Sequence, residues 1–245
     1  MRLVRSLISL LVIAVIGVGT AAAQDGQSGQ GDPCFAKGGQ FDTEQQKCVI
    51  KAGIEINITY PLEVMQYPFV EQTADSFLTD TRSQFISEFS SMGAVVYSPA
   101  PWGLYIDYEI FQFSPDVLSL KFTVSNYTGG AHGNQYFQTY TFDLTQNRVL
   151  KLSELFQPSA DILGTLAPIA QQDLAAQLGE FADPQWIQDG TSSLDAYTSF
   201  AVTSDALVFF FAPYQVAAYA AGPQTVQIPL AQISGILALP FSGTR

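Results

Sequence analysis

Leu207-Val208-Phe209-Phe210-Phe211 is the stretch that most constrains how this chain can fold. Side chains of a strand point alternately to its two faces, so consecutive large apolar residues leave neither face for water, and the segment reads as a central strand. Phe200-Ala201-Val202-Thr203 and a turn at Ser204-Asp205 precede it, which makes the pair a hairpin. With 47% hydrophobic and 13% charged residues the chain has ample material for a core and is too apolar for a disordered tail.

The remaining strands alternate. Ile54, Ile56 and Ile58 interleave with Glu55, Asn57 and Thr59 up to Pro61. Residues 104–110, 117–124 and 135–144 read as a three-stranded meander, its first turn at Pro115-Asp116 and its second in a glycine-rich loop at 125–134. Residues 150–156 look like a short strand running into a helical turn, and 225–228 like a last strand. Two longer helices are expected. Val70, Ala74, Phe77, Leu78, Thr81, Phe85 and Phe89 recur at helical steps over 69–89. Leu163, Leu166, Ala170, Leu174 and Leu178 share one face of 159–178, with Pro168 as a kink or a break and Gly179 as the cap. A short terminal helix is expected at 230–239. Without regular βαβ alternation, the fold class is α+β: a mainly antiparallel sheet packed by two longer helices and a short C-terminal helix.

The N-terminus is set apart. Arg2 and Arg5 precede an apolar run at 7–18 and Ala21-Ala22-Ala23, which predicts a signal peptide over 1–23 cleaved after Ala23. No cysteine stands at the cleavage point to carry a lipid, and no later segment approaches membrane-spanning length, so the expected location is secreted or extracytoplasmic, in the periplasm or on the cell surface. Residues 24–33 read as a flexible leader rich in Gly, Gln and Ser. Cys34 and Cys48 are the only cysteines; in an exported chain they read as a disulfide, contributing about 3 kcal/mol in the chain-entropy model. Two thiols and a distant histidine make a poor metal set, and no cofactor motif is present. No Pro-, Gly- or Ser-rich linker follows Cys48, so 34–245 is expected to be one domain, with a disulfide-closed part at 34–60 and a motif-bearing part at about 100–245.

Those motifs carry a resemblance. Tyr127-Thr128-Gly129-Gly130-Ala131-His132-Gly133-Asn134, then Phe142-Asp143, then Leu150-Lys151-Leu152-Ser153-Glu154-Leu155-Phe156 resemble the C-terminal domain of RsiV-type anti-sigma factors, the family catalogued as domain of unknown function 3298. Leu207 to Phe211, Pro213-Tyr214-Gln215-Val216, Ala220-Ala221-Gly222-Pro223 and Val226-Gln227-Ile228-Pro229 match the same domain in order. The stretch from the cysteine pair to Thr203 is also similar to the secreted mycobacterial immunogenic proteins of the MPT/MPB type. The resemblance implies an extracytoplasmic domain: RsiV-type ectodomains bind lysozyme, and a related domain precedes the catalytic domain of some peptidoglycan deacetylases. Only Met1 to Arg5 precede the apolar run, which leaves no sigma-binding segment, and there is no room for a deacetylase domain. Binding of a ligand outside the cell is what remains.

The candidate contact residues are Tyr127, His132, Asn134, Tyr214 and Tyr219. Tyrosines offer flat amphipathic faces at low entropic cost, and His132, the single histidine, sits in a glycine-rich loop. Tyr136 and Tyr140 share the aromatic character, and most of these five tyrosines are expected to close the core or cover sheet edges, with the segment from Tyr214 to Pro223 packing across the sheet. The enzymatic alternative is a cell-wall glycan hydrolase or deacetylase-like activity using Asp107, Glu109 or His132; the two carboxylates lie on one strand face, opposite Leu104, Ile106, Tyr108 and Ile110. A solvated face is the reading the alternation favours for them, and no nucleophile elbow, phosphate loop or metalloprotease motif occurs. A third alternative is an antigen-like protein with no small ligand.

Charge narrows the partner. With 22 Asp+Glu against 10 Lys+Arg the formal charge is −12, which argues against nucleic acid; removing residues 1–23 takes away Arg2 and Arg5 and leaves −14. Between Lys151 and Arg245 there is no Lys or Arg, while Glu154, Asp161, Asp173, Glu180, Asp183, Asp189, Asp195 and Asp205 fall in that interval. Such a field steers basic partners, so the expected partner is a basic extracellular protein such as lysozyme, or a cell-wall glycan.

Overall fold

The computed structural model describes residues 40–44, 46–49, 53–91, 100–238 and 240–241. The signal-peptide and leader segments and Cys34 fall outside them, and with Cys34 the expected Cys34–Cys48 pair. Among the described residues no helix is long and apolar enough to cross a membrane.

The strands divide between two stacked sheets and a small ribbon formed by β1 (Gln40–Asp42) and β2 (Lys47–Val49). The larger sheet has five strands in chain order: β3 (Ile54–Ile58), β4 (Trp102–Ser114), β5 (Val117–Tyr127), β6 (Asn134–Asp143) and β7 (Arg148–Leu150). β4, β5 and β6 are the expected antiparallel meander, whereas β3 runs parallel to β4, with Ile56 opposite Leu104. A parallel neighbour needs a crossover, and α1 (Pro68–Ser91) supplies it. Its stripe Val70, Ala74, Leu78 and Phe85 is buried on one face of the sheet against Leu104, Ile106, Leu120, Phe122 and Phe142.

The smaller sheet is β10 (Gln224–Pro229), β9 (Ala206–Phe211) and β8 (Phe200–Val202), antiparallel and in that spatial order. The all-apolar strand is therefore central, and every residue of β9 is buried. Its two faces go to two different cores. Leu207, Phe209 and Phe211 join α2 (Ile162–Leu178) through Leu166, Ala170, Leu174 and Leu178. Val208 and Phe210 turn the other way, toward Phe111 and Phe137 of the larger sheet. The layers run α1, larger sheet, smaller sheet, α2.

One local expectation is narrowed and another changes. α2 continues through Pro168 without a break, because the buried stripe on either side outweighs the ~3 kcal/mol that an interior proline costs. The terminal helix α4 spans only Leu230–Ile233. Beyond it the backbone pairs elsewhere: Leu237 bridges Phe156, and the Ala238 N–H donates to the Leu155 carbonyl at 2.9 Å.

Candidate functional site

The β5–β6 loop carries His132, and the segment that follows β9 carries Tyr214 and Tyr219; the stacked sheets bring these together. The His132 and Tyr219 rings stack with centroids 3.9 Å apart and planes 20° off parallel. Tyr214 lies 5.4 Å from Tyr219, centroid to centroid, and its hydroxyl is 3.3 Å from His132 Nε2. His132 Nδ1 sits 2.8 Å from the Gly133 carbonyl, which also accepts from the Tyr219 hydroxyl at 2.9 Å. A carbonyl only accepts, so Nδ1 bears the proton and, in the neutral ring, Nε2 accepts from Tyr214; the partners assign the tautomer. Gly133 is required where it stands, because a Cβ there would lie 2.7 Å from the Asn126 carbonyl oxygen.

Tyr214 is unusual in its backbone. Its φ of 71° lies in the left-handed region, costly for a bulky residue. Neighbours hold it there: the Trp186 indole donates to the Tyr214 carbonyl at 3.0 Å, and the Gln215 side chain spans from the Ala212 N–H to the Ala196 carbonyl. The residue is 52% exposed. Trp186, which sequence reasoning did not single out, comes from α3 (Pro184–Asp189), whose start is marked by Asp183-Pro184: the Asp183 carboxylate caps the Gln185 and Trp186 N–H groups. That signal locates a helix but not its contact with Tyr214.

The other candidates engage neighbours of their own. The Tyr127 hydroxyl donates to Gly130 of its own loop at 3.1 Å, and Asn134, exposed, pairs with Asn126 at the start of β6. Tyr140 packs on Phe77 and Phe142 beneath α1, and burial pushes the phenols of Tyr136 and Tyr140 upward. Asp107 and Glu109 are both exposed, yet they are not a working pair. Asp107 accepts from the Tyr108 N–H, while Glu109 forms an ion pair with Lys121. Lys121 is buried, its ammonium 4.5 Å from the Phe210 ring centroid and 5.3 Å from that of Phe137. The face expected to be solvated is thus covered at that point by the smaller sheet.

Residues 153–231 match the family described as protein of unknown function DUF3298. The chain carries a DUF3298 domain. Residues 49–135 match the Deacetylase PdaC family, so His132 comes from one matched segment and Trp186, Tyr214 and Tyr219 from the other. Peptidoglycan-N-acetylmuramic acid deacetylase PdaC of Bacillus subtilis (strain 168) is 30% identical over 135 residues, covering 55% of this chain; the chain spans only 29% of that relative's length. Immunogenic protein MPT64 of Mycobacterium tuberculosis (strain H37Rv) is 28% identical over 188 residues, 75% of this chain and 78% of the relative. An esterase of the same strain is 26% identical over 229 residues, 91% and 94% of the two chains. In fold the chain is similar to a DUF3298 family protein of Pseudomonas aeruginosa PAO1, with a TM-score of 0.53 at 20% identity over 80% of this chain and 88% of that one. The DUF3298 and immunogenic-protein resemblances are found again here; these matches do not single out the RsiV type.

Proposed function

We propose that this protein is an extracytoplasmic binding domain that presents His132, Tyr214 and Tyr219 to a cell-envelope glycan and performs no chemistry of its own. The observation that carries the reading is the exposed ring cluster, with Tyr214 held at φ 71° by bonds to its backbone neighbours. Rigid aromatic faces with polar edges suit a ligand that has apolar ring faces and hydroxyl rims. The N-terminal signal pattern supports a place outside the cytoplasm, and the printed name of the PdaC relative supports peptidoglycan as the kind of surface. Among the described residues His132 faces a carbonyl and a phenol rather than the serine or cysteine partner that hydrolytic triads use.

The test is binding of the secreted chain to purified peptidoglycan by sedimentation. Tyr214→Ala and Tyr219→Ala should each weaken binding about tenfold or more, the loss expected for a central aromatic contact. Retention of both variants at wild-type level would remove the cluster from the contact surface. A second reading is favoured by the esterase likeness along nearly the whole chain: ester hydrolysis dependent on His132. Turnover of a p-nitrophenyl ester that disappears in His132→Ala would replace the binding reading with that one. Salt-sensitive capture of lysozyme, unaffected by Tyr214→Ala, would point instead to a basic protein partner held by the acidic C-terminal stretch.

A further inference from the structure

We infer that His132 is a positioning residue that sets the hydrogen-bonding sense in which Tyr214 meets the glycan. Beside a neutral imidazole the phenol offers an acceptor; beside a protonated one it offers a donor, and the surface takes up carboxylate-bearing sugars. This role rests on the glycan-binding reading and names what governs that surface. The proton that moves can be placed at one atom. The Gly133 carbonyl, 2.8 Å from Nδ1, keeps that nitrogen protonated in both states of the ring, so the proton is gained and lost at Nε2, 3.3 Å from the Tyr214 hydroxyl. The Tyr219 hydroxyl is spent on the same Gly133 carbonyl at 2.9 Å and keeps its sense throughout.

With Nε2 bare, the Tyr214 O–H points at it and oxygen lone pairs are what remain for a ligand. A sugar hydroxyl or acetamide N–H donates to them, whereas a carboxylate, which only accepts, is repelled. Once Nε2 carries a proton it donates to the phenol oxygen, and the phenol hydrogen turns away toward solvent, to which Tyr214 is exposed. A ligand carboxylate then gains a charge-assisted bond, with the imidazolium behind it. The surroundings neither quench that charge nor imitate it. Residues 122–142, which carry His132, contain no Asp, Glu, Lys or Arg, and neither do residues 206–244, which carry Tyr214 and Tyr219. The titratable groups around the imidazole are the phenols of Tyr214 and Tyr219 and, in its own loop, Tyr127, whose hydroxyl donates to Gly130. α3 reaches the cluster through Trp186; the carboxylates at its two ends, Asp183 and Asp189, accept from N–H groups of α3 itself, and among the described residues no ion pair joins them to His132. Inside the protein a positive imidazole meets the stacked face of Tyr219, 3.9 Å away between centroids.

Two measurements on the full secreted chain test this. His132 is the single histidine, so nitrogen NMR of isotopically labelled histidine reports on it alone. The neutral ring should show a protonated Nδ1 and a bare Nε2; a neutral ring protonated at Nε2 instead would overturn the inference whatever the ligand. Calorimetry then compares a galacturonic acid hexamer with an N-acetylglucosamine hexamer at about pH 7.5 and about pH 5.5, an interval in which histidine changes charge and carboxylates stay ionised. The carboxylated hexamer should bind about tenfold tighter at the lower pH, and the uncharged one should change less than about threefold. His132→Gln should abolish the step, and a step that survives there would overturn the inference. Tyr214→Phe, which keeps the ring and removes the hydroxyl, should abolish most of it. An undiminished step in Tyr214→Phe would mean that His132 acts through its charge alone, and would also overturn the inference. Failure of both hexamers to bind at either pH, with the Nδ1-protonated ring observed, would overturn the glycan reading while upholding the pairing of His132 with Tyr214.

Discussion

Tyr214 concentrates two demands in one residue, a ring presented to solvent and a backbone angle that favours glycine. Holding a tyrosine there costs about 1–3 kcal/mol, which the surrounding bonds must offset. Replacing it separates the demands. Tyr214→Gly keeps the turn and relieves the strain, so its unfolding free energy should stay within about 1 kcal/mol of wild type while glycan binding is lost. Urea denaturation alongside the binding assay checks this, and a Gly variant that unfolds several kcal/mol more easily would mean that the ring itself supports the fold. The sequence named Tyr214, Tyr219 and His132 individually, from residue type and loop composition. Their stacking was not legible, because Tyr214 and His132 are 82 residues apart and meet only through the packing of two sheets.

Between elements, the decisive contact is the polar seam that joins the sheets. Ser119 on β5 is buried, with its hydroxyl 2.8 Å from Thr141 Oγ1 on β6 and accepting from the Val202 N–H of β8 at 3.0 Å. Thr139 on β6 repeats the device, accepting from the Phe200 N–H and donating to the Thr198 carbonyl. Ser119→Ala removes an acceptor from a buried N–H and should destabilise by about 1–3 kcal/mol, read from the denaturation midpoint, whereas Thr145→Ala at an exposed turn should cost less than about 1 kcal/mol. Element positions were legible wherever a period was long: α1, the meander and β9 all follow from apolar spacing. The seam was hidden because Ser119, Lys121 and Thr141 look like the water-facing half of alternating strands, and only a second sheet reveals them as covered.

At the scale of the whole molecule, pH probes both the core and the turns. Tyr197 is fully buried against Phe209 and Phe211, and burial pushes its phenol up to about 12, though the hydroxyl's bond to Thr191 opposes that. A folded value above the unfolded one means stability is intact below about pH 10 and declines as the pH rises through about 12, by on the order of 2 kcal/mol. Tyr197→Phe should flatten that decline in a pH series of thermal melts; an unchanged slope would assign the alkaline loss to other groups. On the acid side the sign reverses. Burial works against ionised Asp143, but bonds from the Thr145 hydroxyl and the Gln146 and Thr145 N–H groups, with Arg148 nearby, bring it below the usual carboxylate range. Glu154 is lowered by the Lys151 N–H and by Arg148. Both contribute stability above about pH 4 that is lost as pH falls further, a modest amount because both groups are near the surface.

The amino-acid sequence by itself determined the longer secondary elements, the α+β class, the DUF3298 resemblance and the acidic, nearly cation-free C-terminal part, because periodicity, turn chemistry and composition are local properties of the chain. It also identified β9 as central, since a strand with no polar face has nowhere else to go. The tertiary structure decided that the strands form two sheets rather than one, that Glu109 serves the buried Lys121 rather than Asp107, and that Trp186, Tyr214, Tyr219 and His132 share one surface. Those are long-range pairings, chosen by which apolar faces can cover one another and which buried polar groups can be satisfied, and no window of sequence contains both partners.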